Sequence, residues 1–180
     1  MLRKLARKDF DKVFRLIENS FPMDEYRTYD GQKVLLEDPA YEIYGLPGAD
    51  ESITAFMAVW QFKPFVFLEH FAVAPEHRNG GIGSQLLGEL IRAAGKMVCL
   101  EAELPDNIIA SRRIGFYERN GFFRNDYPYI QPSLSPGQNP VPLVIMSSGR
   151  SISRSEFAEI RQVLYTRVYK SAQSQRRSNR

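Results

Sequence analysis

The hydrophobic period of the chain changes between Phe65 and Ile91. From Phe65 to Val73 most residues are apolar, aromatic or β-branched and predict a buried strand, whereas Ile82, Leu86, Leu87, Leu90 and Ile91 recur at helical spacing. Upstream, Leu2 to Leu5 reads as a short strand, and Asp9 stands where it can cap a helix carrying Phe10, Val13, Phe14, Leu16 and Ile17 as far as Phe21-Pro22. Asp24 to Glu37, interrupted by Asp30-Gly31, reads as two short helices or a mobile loop stopped by Asp38-Pro39. Tyr41 to Leu46 and Ser52 to Phe62 read as a hairpin turned at Pro47-Gly48-Ala49-Asp50. Downstream the pattern predicts a strand over Met97 to Glu103, a helix around Ala110 to Arg119, strands near Gly121 to Ile130 and Val141 to Ser147, and a last helix through Phe157, Ile160, Val163, Leu164 and Val168, capped by Ser153 or Ser155.

The joint between the strand ending at Val73 and the helix from Ile82 carries the first chemistry. Arg78-Asn79-Gly80-Gly81-Ile82-Gly83-Ser84 places glycines where backbone N–H groups converge on a helix N-terminus, an arrangement suited to a phosphate or pyrophosphate. A Walker loop is excluded because no Gly-Lys-Ser/Thr follows the glycines. A dinucleotide fingerprint is excluded because the order is Arg-x-x-Gly-x-Gly rather than Gly-x-Gly-x-x-Gly.

A second segment extends the pattern: Asn107-x-x-Ala110, then Arg113-Ile114-Gly115-Phe116-Tyr117-Glu118-Arg119-Asn120-Gly121-Phe122. Together with Arg78-x-x-Gly81-x-Gly83 after Ala72-Val73, it resembles the GNAT superfamily of acyl-CoA-dependent N-acetyltransferases, with both hallmark motifs in the family's order. The layout agrees from Leu2 to Met146 and is specific from Phe65 to Phe123. Leu100-Glu101-Ala102-Glu103-Leu104-Pro105 running into Asn107 looks like a bacterial subgroup of undefined acceptor. The resemblance implies an α/β fold with a mixed, mostly antiparallel sheet, helices on both faces and splayed central strands, here Phe65 to Val73 and Met97 to Glu103. The gap admits the pantetheine arm of acetyl-CoA, and the ligand's amides pair with the open strand backbone.

The resemblance also implies roles. Backbone N–H groups of Arg78, Asn79, Gly80, Gly81, Ile82, Gly83 and Ser84 hold the pyrophosphate, with the Arg78 side chain and the Ser84 hydroxyl as additions. The main chain of Phe71, Ala72 and Val73 pairs with pantetheine, Asn107 reaches the same arm, and Ser111 to Arg113 approach the adenine ribose phosphate. Tyr117 matches the general acid that protonates the leaving thiolate; without the motif it reads as a core aromatic beside Phe116 and Phe122. Glu69 matches a strand position where family members carry a Glu or His facing the acceptor amine. Alternation puts Glu69 and Phe71 on one face and His70 on the other. Among Phe67, Leu68 and Phe71 an unpaired carboxylate is expected to have a raised pKa suited to a base, while the competing reading makes Glu69 the partner of an arginine. Glu101 and Glu103, on one face of the neighbouring strand, are alternative bases. The acceptor pocket is expected between Asp24 to Glu37 and Asp126 to Pro142, with Tyr26, Tyr29, Tyr127 and Tyr129 and the nearby Asp24, Glu25, Asp30 and Asp126 favouring an amine. The proline-rich stretch from Gln131 to Pro142 is expected to be an ordered rim or a mobile lid.

Composition narrows the remaining classes. The chain of 180 residues suffices for one domain, and its formal net charge of +3 is ordinary. The expected division is a GNAT domain over 1–148, a helix over 149–169 packed on that domain or on a second subunit, and a disordered basic tail over 170–180. The tail lacks the aromatic interleaving of a nucleic-acid platform, so no specific nucleic acid is expected. Apolar stretches are far shorter than the roughly 20 residues of a membrane helix, and the basic N-terminus lacks an apolar signal core, so a cytoplasmic protein with no membrane partner is expected. The single cysteine, Cys99, lies in a predicted strand and reads as a buried hydrophobe; His70 and His77 are not at ligand spacing, and no metal is expected. Two functions remain: an acetyl-CoA-dependent N-acetyltransferase acting on a primary amine of a small molecule or peptide, as monomer or homodimer, or a GNAT-fold acyl-CoA-binding module.

Overall fold

The computed structural model describes residues 3–48 and 52–170, so Leu2, the hairpin tip at Ala49-Asp50 and most of the basic tail lie outside the described residues. Seven strands form one sheet in the order β1-β2-β3-β4-β5-β7-β6. In sequence these are β1 (Arg3–Lys4), β2 (Tyr41–Pro47), β3 (Ile53–Gln61), β4 (Val66–Val73), β5 (Val98–Glu103), β6 (Phe122–Gln131) and β7 (Val141–Ser148). Every neighbouring pair is antiparallel except β4 and β5, which are parallel. The helices are α1 (Phe10–Ser20), α2 (Tyr29–Lys33), α3 (Ile82–Ala94), α4 (Ile108–Arg119) and α5 (Arg154–Val163). The Asp24 to Glu37 stretch is a 3-10 turn at Met23–Glu25, then α2, then a second 3-10 turn at Val34–Glu37. Asp9 does not cap α1 through its side chain; its Oδ2 accepts from the Ala6 N–H at 3.2 Å and closes the preceding 3-10 turn.

The sheet is covered on both faces, which explains why β3 reads as an almost unbroken apolar run. Phe56, Ala58 and Trp60 face a cluster with Phe10, Val13, Phe14 and Ile17 of α1 and Phe157 and Ile160 of α5. Ala55, Met57 and Val59 face Leu86, Leu87 and Leu90 of α3 and Ile114 and Tyr117 of α4. The C-terminal helix packs on its own domain: a capping box of Ser153 and Glu156 starts α5, and a π-helical turn over Leu164–Val168 carries Leu164 and Val168 into the first cluster.

One irregularity in β4 determines the rest. Its register against β3 shifts between Ala58 and Val59, with Ala58 opposite His70 and Val59 opposite Leu68, so Glu69 is an extra residue without a partner. The bulge resets the alternation. Leu68, Phe71 and Val73 lie toward α3 and α4, while Phe67 and Ala72 lie toward α1. Strict alternation therefore fails here: Glu69 and His70 share the α1 side, and Phe71 faces away from them.

Because Leu164 is fully buried in the core it shares with α1 and the sheet, Leu164→Ala is expected to cost about 2–5 kcal/mol, read as a lowered midpoint in chemical denaturation. A change near zero would place this helix outside the cooperative core.

Candidate active site

Parallel pairing between β4 and β5 covers only Val66–Leu68 against Val98–Leu100. Beyond Leu68, β4 stays paired with β3 as far as Val73, and β5 stays paired with β7 as far as Glu103. The two strands therefore part at the bulge and leave a wedge between them. Its outer part is a cleft of about 530 Å³ lined by Phe71 to Val73, Arg78, Asn79, Gly81 to Ser84, Arg112, Arg113, Phe116 and Tyr117, with Asn19 to Phe21 on the far wall. Its inner part is a cavity of about 40 Å³ between the strands, and Phe21, Phe71, Arg113 and Tyr117 border both. A larger groove, about 1270 Å³, runs between Ile91 to Met97 and α5 and contains none of these residues.

The glycine turn has the geometry that an anion needs. Asn79 and Gly81 adopt positive φ, 66° and 79°, which turns the chain back into α3. No side chain caps α3, so the N–H groups of its first turn face the cleft with the helix dipole behind them. Gly83 is needed for space: a Cβ there would sit 3.1 Å from the Phe116 ring. The Arg78 side chain is used locally, its Nε donating to the Val73 carbonyl at 2.9 Å and tying the turn to the end of β4. Asn107 is exposed and outside the cleft lining. Its Oδ1 accepts from the Ala110 N–H at 2.9 Å, capping α4. The Ser20 Oγ, on the cleft wall, is buried without a partner and was not anticipated from the sequence.

Tyr117 stands where cleft and cavity meet. It is 7% exposed, and burial pushes its phenol up to about 12, against the opposing pull of Arg113. It packs on Phe116 and Phe122 and also faces both spaces.

Glu69 is arranged differently from the expectation of an unpaired carboxylate with a raised pKa. Its Oε1 accepts from Arg27 Nη1 at 2.7 Å and its Oε2 from Trp60 Nε1 at 3.1 Å. Burial disfavours the charge, but the Arg27 guanidinium outweighs it, and the carboxylate lies below its ordinary range. Arg27, 6% exposed, also donates from Nη2 to the Val168 carbonyl at 2.9 Å, so the C-terminal turn helps to hold the pair. His70 is 2% exposed; its Nε2 lies 2.9 Å from the Glu25 carbonyl, while Nδ1 has no hydrogen-bond partner.

The groups with raised pKa lie elsewhere. Burial raises Glu101 to about 7 even though the hydroxyls of Tyr129 and Tyr169 donate to it, the latter at 2.6 Å. Burial, then the charge of Glu103, raises Glu25 to about 7, and a side-chain hydrogen bond joins the two. Glu103 receives Arg113 Nη1 at 3.3 Å. Glu25, Glu69, Glu101 and Glu103 all border the inner cavity.

The two expected acceptor segments meet. Gln138 donates to the carbonyls of Met23 and Tyr26 at 2.6 and 2.8 Å, and Asn139 donates to the Asp24 carboxylate from its backbone and its side chain. The proline-rich stretch is thus tied to the Met23–Tyr26 segment by these bonds. Of the four tyrosines, Tyr129 alone reaches the cavity's carboxylates. Tyr29 donates to Asp11, Tyr127 donates to the Ile152 carbonyl and Tyr26 packs on Phe14. Arg27 and Tyr169 were missed from the sequence: one lies in an irregular segment and the other at the end of a helix read only for its apolar face.

Comparison with known proteins agrees with this geometry. Residues 43–123 match the family described as Acetyltransferase (GNAT) domain. A Bacteroides thetaiotaomicron structure named "Putative acetyltransferase from GNAT family" superposes with a TM-score of 0.84 at 29% identity, covering 95% of this chain and 99% of that one. The Bacillus subtilis (strain 168) protein named "Putative acetyltransferase YjbC" is 23% identical over 159 residues, 87% of this chain and 80% of its own length. The fold is also that of the ribosomal-protein-S18-alanine N-acetyltransferase from Escherichia coli, at 19% identity and a TM-score of 0.61 over 85% of this chain and 95% of that one. Residues 43–123 thus carry a GNAT acetyltransferase domain, and the chain as a whole has the fold of a GNAT-family structure.

Removing the cation from a buried pair strands the remaining charge, so Arg27→Met is expected to destabilise by about 3–5 kcal/mol, and adding Glu69→Gln to recover much of the loss. Glu69 has a depressed folded pKa, so its contribution is complete above the ordinary carboxylate value of 4.5 and is lost as pH falls through the lowered folded value. Denaturation of the wild type against Glu69→Gln across acid pH measures this. A difference that does not shrink on acidification would refute the pairing.

Proposed function

We propose that the protein is an acetyl-CoA-dependent N-acetyltransferase acting on a primary amine. The observation that carries this reading is the end of β4–β5 pairing at Leu68–Leu100, which opens a wedge between an uncapped helix N-terminus and a buried phenol. The first turn of α3 takes the pyrophosphate on its N–H groups, assisted by the cationic Arg112 and Arg113 at the cleft wall. The open β5-facing edge of Phe71, Ala72 and Val73 pairs with pantetheine, which brings the thioester to Tyr117.

The acceptor nitrogen adds to the thioester carbonyl carbon, the C–S bond breaks, and the sulfur leaves with the electron pair. Tyr117, kept protonated by burial, donates its phenolic proton to that sulfur. Glu69 has both oxygens engaged and a lowered pKa, so its part is to hold Arg27 and the bulge as an ionised carboxylate. The carboxyl groups at the cavity favour an amine acceptor by charge. The neighbours of this fold include a spermidine N-acetyltransferase from Vibrio cholerae, itself an amine acetylator. Tyr117 favours an enzyme over an acyl-CoA-binding module, which has no use for a proton donor at the sulfur.

Calorimetric titration with acetyl-CoA and with CoA, followed by thiol release over an amine library, tests the reading. Binding and turnover are expected, with Tyr117→Phe lowering kcat by about 10²-fold or more while acetyl-CoA affinity is retained. Binding without turnover of any amine would favour the module, and unchanged kcat in Tyr117→Phe would remove the phenol from the mechanism. Gly83→Val, which forces a side chain against Phe116 at the cleft, is expected to weaken acetyl-CoA binding; unaltered affinity would remove the glycine turn from the donor site.

A further inference from the structure

The acyl-transfer reading needs a group to take the amine proton, and the bulge has withdrawn Glu69 from that task. We infer that Glu25, beside Glu103 at the inner cavity, is the general base of this site. The inference rests on acetyl transfer itself and adds the identity of the proton acceptor.

Four observations carry it. Glu25 ends the 3-10 turn Met23–Glu25, partly buried at the cavity that Tyr117 also borders, so base and acid face one small space from opposite elements. The Glu25 and Glu103 side chains both line this cavity and are close enough to interact, the like charge of Glu103 acting on Glu25. Glu103 is in turn paired with Arg113, whose Nη1 lies 3.3 Å from its Oε2. The turn itself is held by His70, whose Nε2 lies 2.9 Å from the Glu25 carbonyl. The His70 Nδ1 is buried, has no hydrogen-bond partner and lies 4.0 Å from Glu69 Oε2. The cavity, about 40 Å³, has room for one small group beside these side chains.

The groups facing Glu25 are Asp24 on its own turn, Glu69 and His70 from β4, Glu101 and Glu103 from β5, and Arg113 and Tyr117 from α4. Burial and the like charge of Glu103 outweigh Arg113 and set Glu25 to titrate at about 7. The step balances as follows. The neutral amine nitrogen forms the C–N bond and passes one N–H proton to the Glu25 carboxylate; the C–S bond breaks and the sulfur takes the Tyr117 proton. Glu25 then returns its proton through solvent to the Tyr117 phenolate, and the amide and CoA thiol leave with no net change in protons.

Two readouts test this, one of them independent of any substrate. In protein labelled with 13C at glutamate carboxyl carbons, Glu25 and Glu101 both titrate at about 7, and one of these two titrations is expected to vanish in Glu25→Gln and to move to lower pH in Glu103→Gln while the other stays. Survival of both titrations in Glu25→Gln overturns the assignment. In thiol-release kinetics, kcat/KM is expected to rise with pH through the same midpoint, and Glu25→Gln to lower it about 10²-fold or more and flatten the limb, with acetyl-CoA affinity by calorimetry unchanged. A limb that persists in Glu25→Gln overturns the base. Failure of the wild type to bind acetyl-CoA removes the transfer reading instead, and the calorimetry separates that failure from an error about Glu25.

Discussion

The bulge at Glu69 is the constraint on which the site depends. β4 is bonded to β3 along its whole length, yet its pairing with β5 stops after three residues. An extra residue bends a strand and increases its local twist, and here the bend falls where β4 leaves β5. Backbone groups left on facing strand edges are costly unless something satisfies them. A ligand with amides along its length would be the natural complement, so under the proposed function the defect in the sheet and the binding of an extended arm are one feature. The same residue supplies the electrostatic anchor. Placed on the α1 side by the bulge, Glu69 draws in Arg27, and Arg27 in turn holds the carbonyl of Val168.

This couples parts of the chain that lie far apart in sequence. The residues matched to the GNAT domain, 43–123, contain the glycine turn and Tyr117, which line the outer cleft. The acceptor side is assembled from Glu25 and Arg27 before that region and from Tyr129, Val168 and Tyr169 after it. α5 and its π-turn thus both complete the core under the sheet and bring Tyr169 to Glu101. In the proposed enzyme, donor recognition is local and motif-like, whereas acceptor recognition is built by packing between distant segments. A comparison that reads motifs finds the first and not the second.

The same division sets how far the sequence was legible. Periodicity placed the elements around the site, because helices and doubly buried strands leave strong patterns, and the glycine turn could be read because backbone chemistry demands small residues there. Side chains on β4 beyond the bulge could not be placed. A one-residue insertion reverses every later facing, and nothing in Leu68-Glu69-His70-Phe71 distinguishes a bulge from regular alternation. That single shift moved His70 to the cavity and Phe71 to the other face. Asn107 was legible as a motif residue, yet its side chain is spent on capping α4, a role that Asn fills at helix starts without regard to ligands. Glu25 was visible only as one acid among several, since its partners Glu103 and His70 come from two strands that meet it through tertiary packing.

The charges of the inner cavity then follow from two kinds of neutralisation. Arg27 holds Glu69 ionised, while Glu25 and Glu101 have no such full partner and resist ionisation. Concentrating four carboxyl groups in so small a space is tolerable because some of them hold protons at neutral pH. A cationic amine approaching this cavity changes that balance: its charge favours the ionised forms, and protons are released from the groups nearest to it. Under the proposed transfer, loss of a proton from Glu25 as the ammonium docks prepares a carboxylate, and the ammonium must itself shed a proton to become the neutral nucleophile. Binding and activation of the acceptor are then coupled at the cavity where the bulge in β4 and the 3-10 turn before Tyr26 meet.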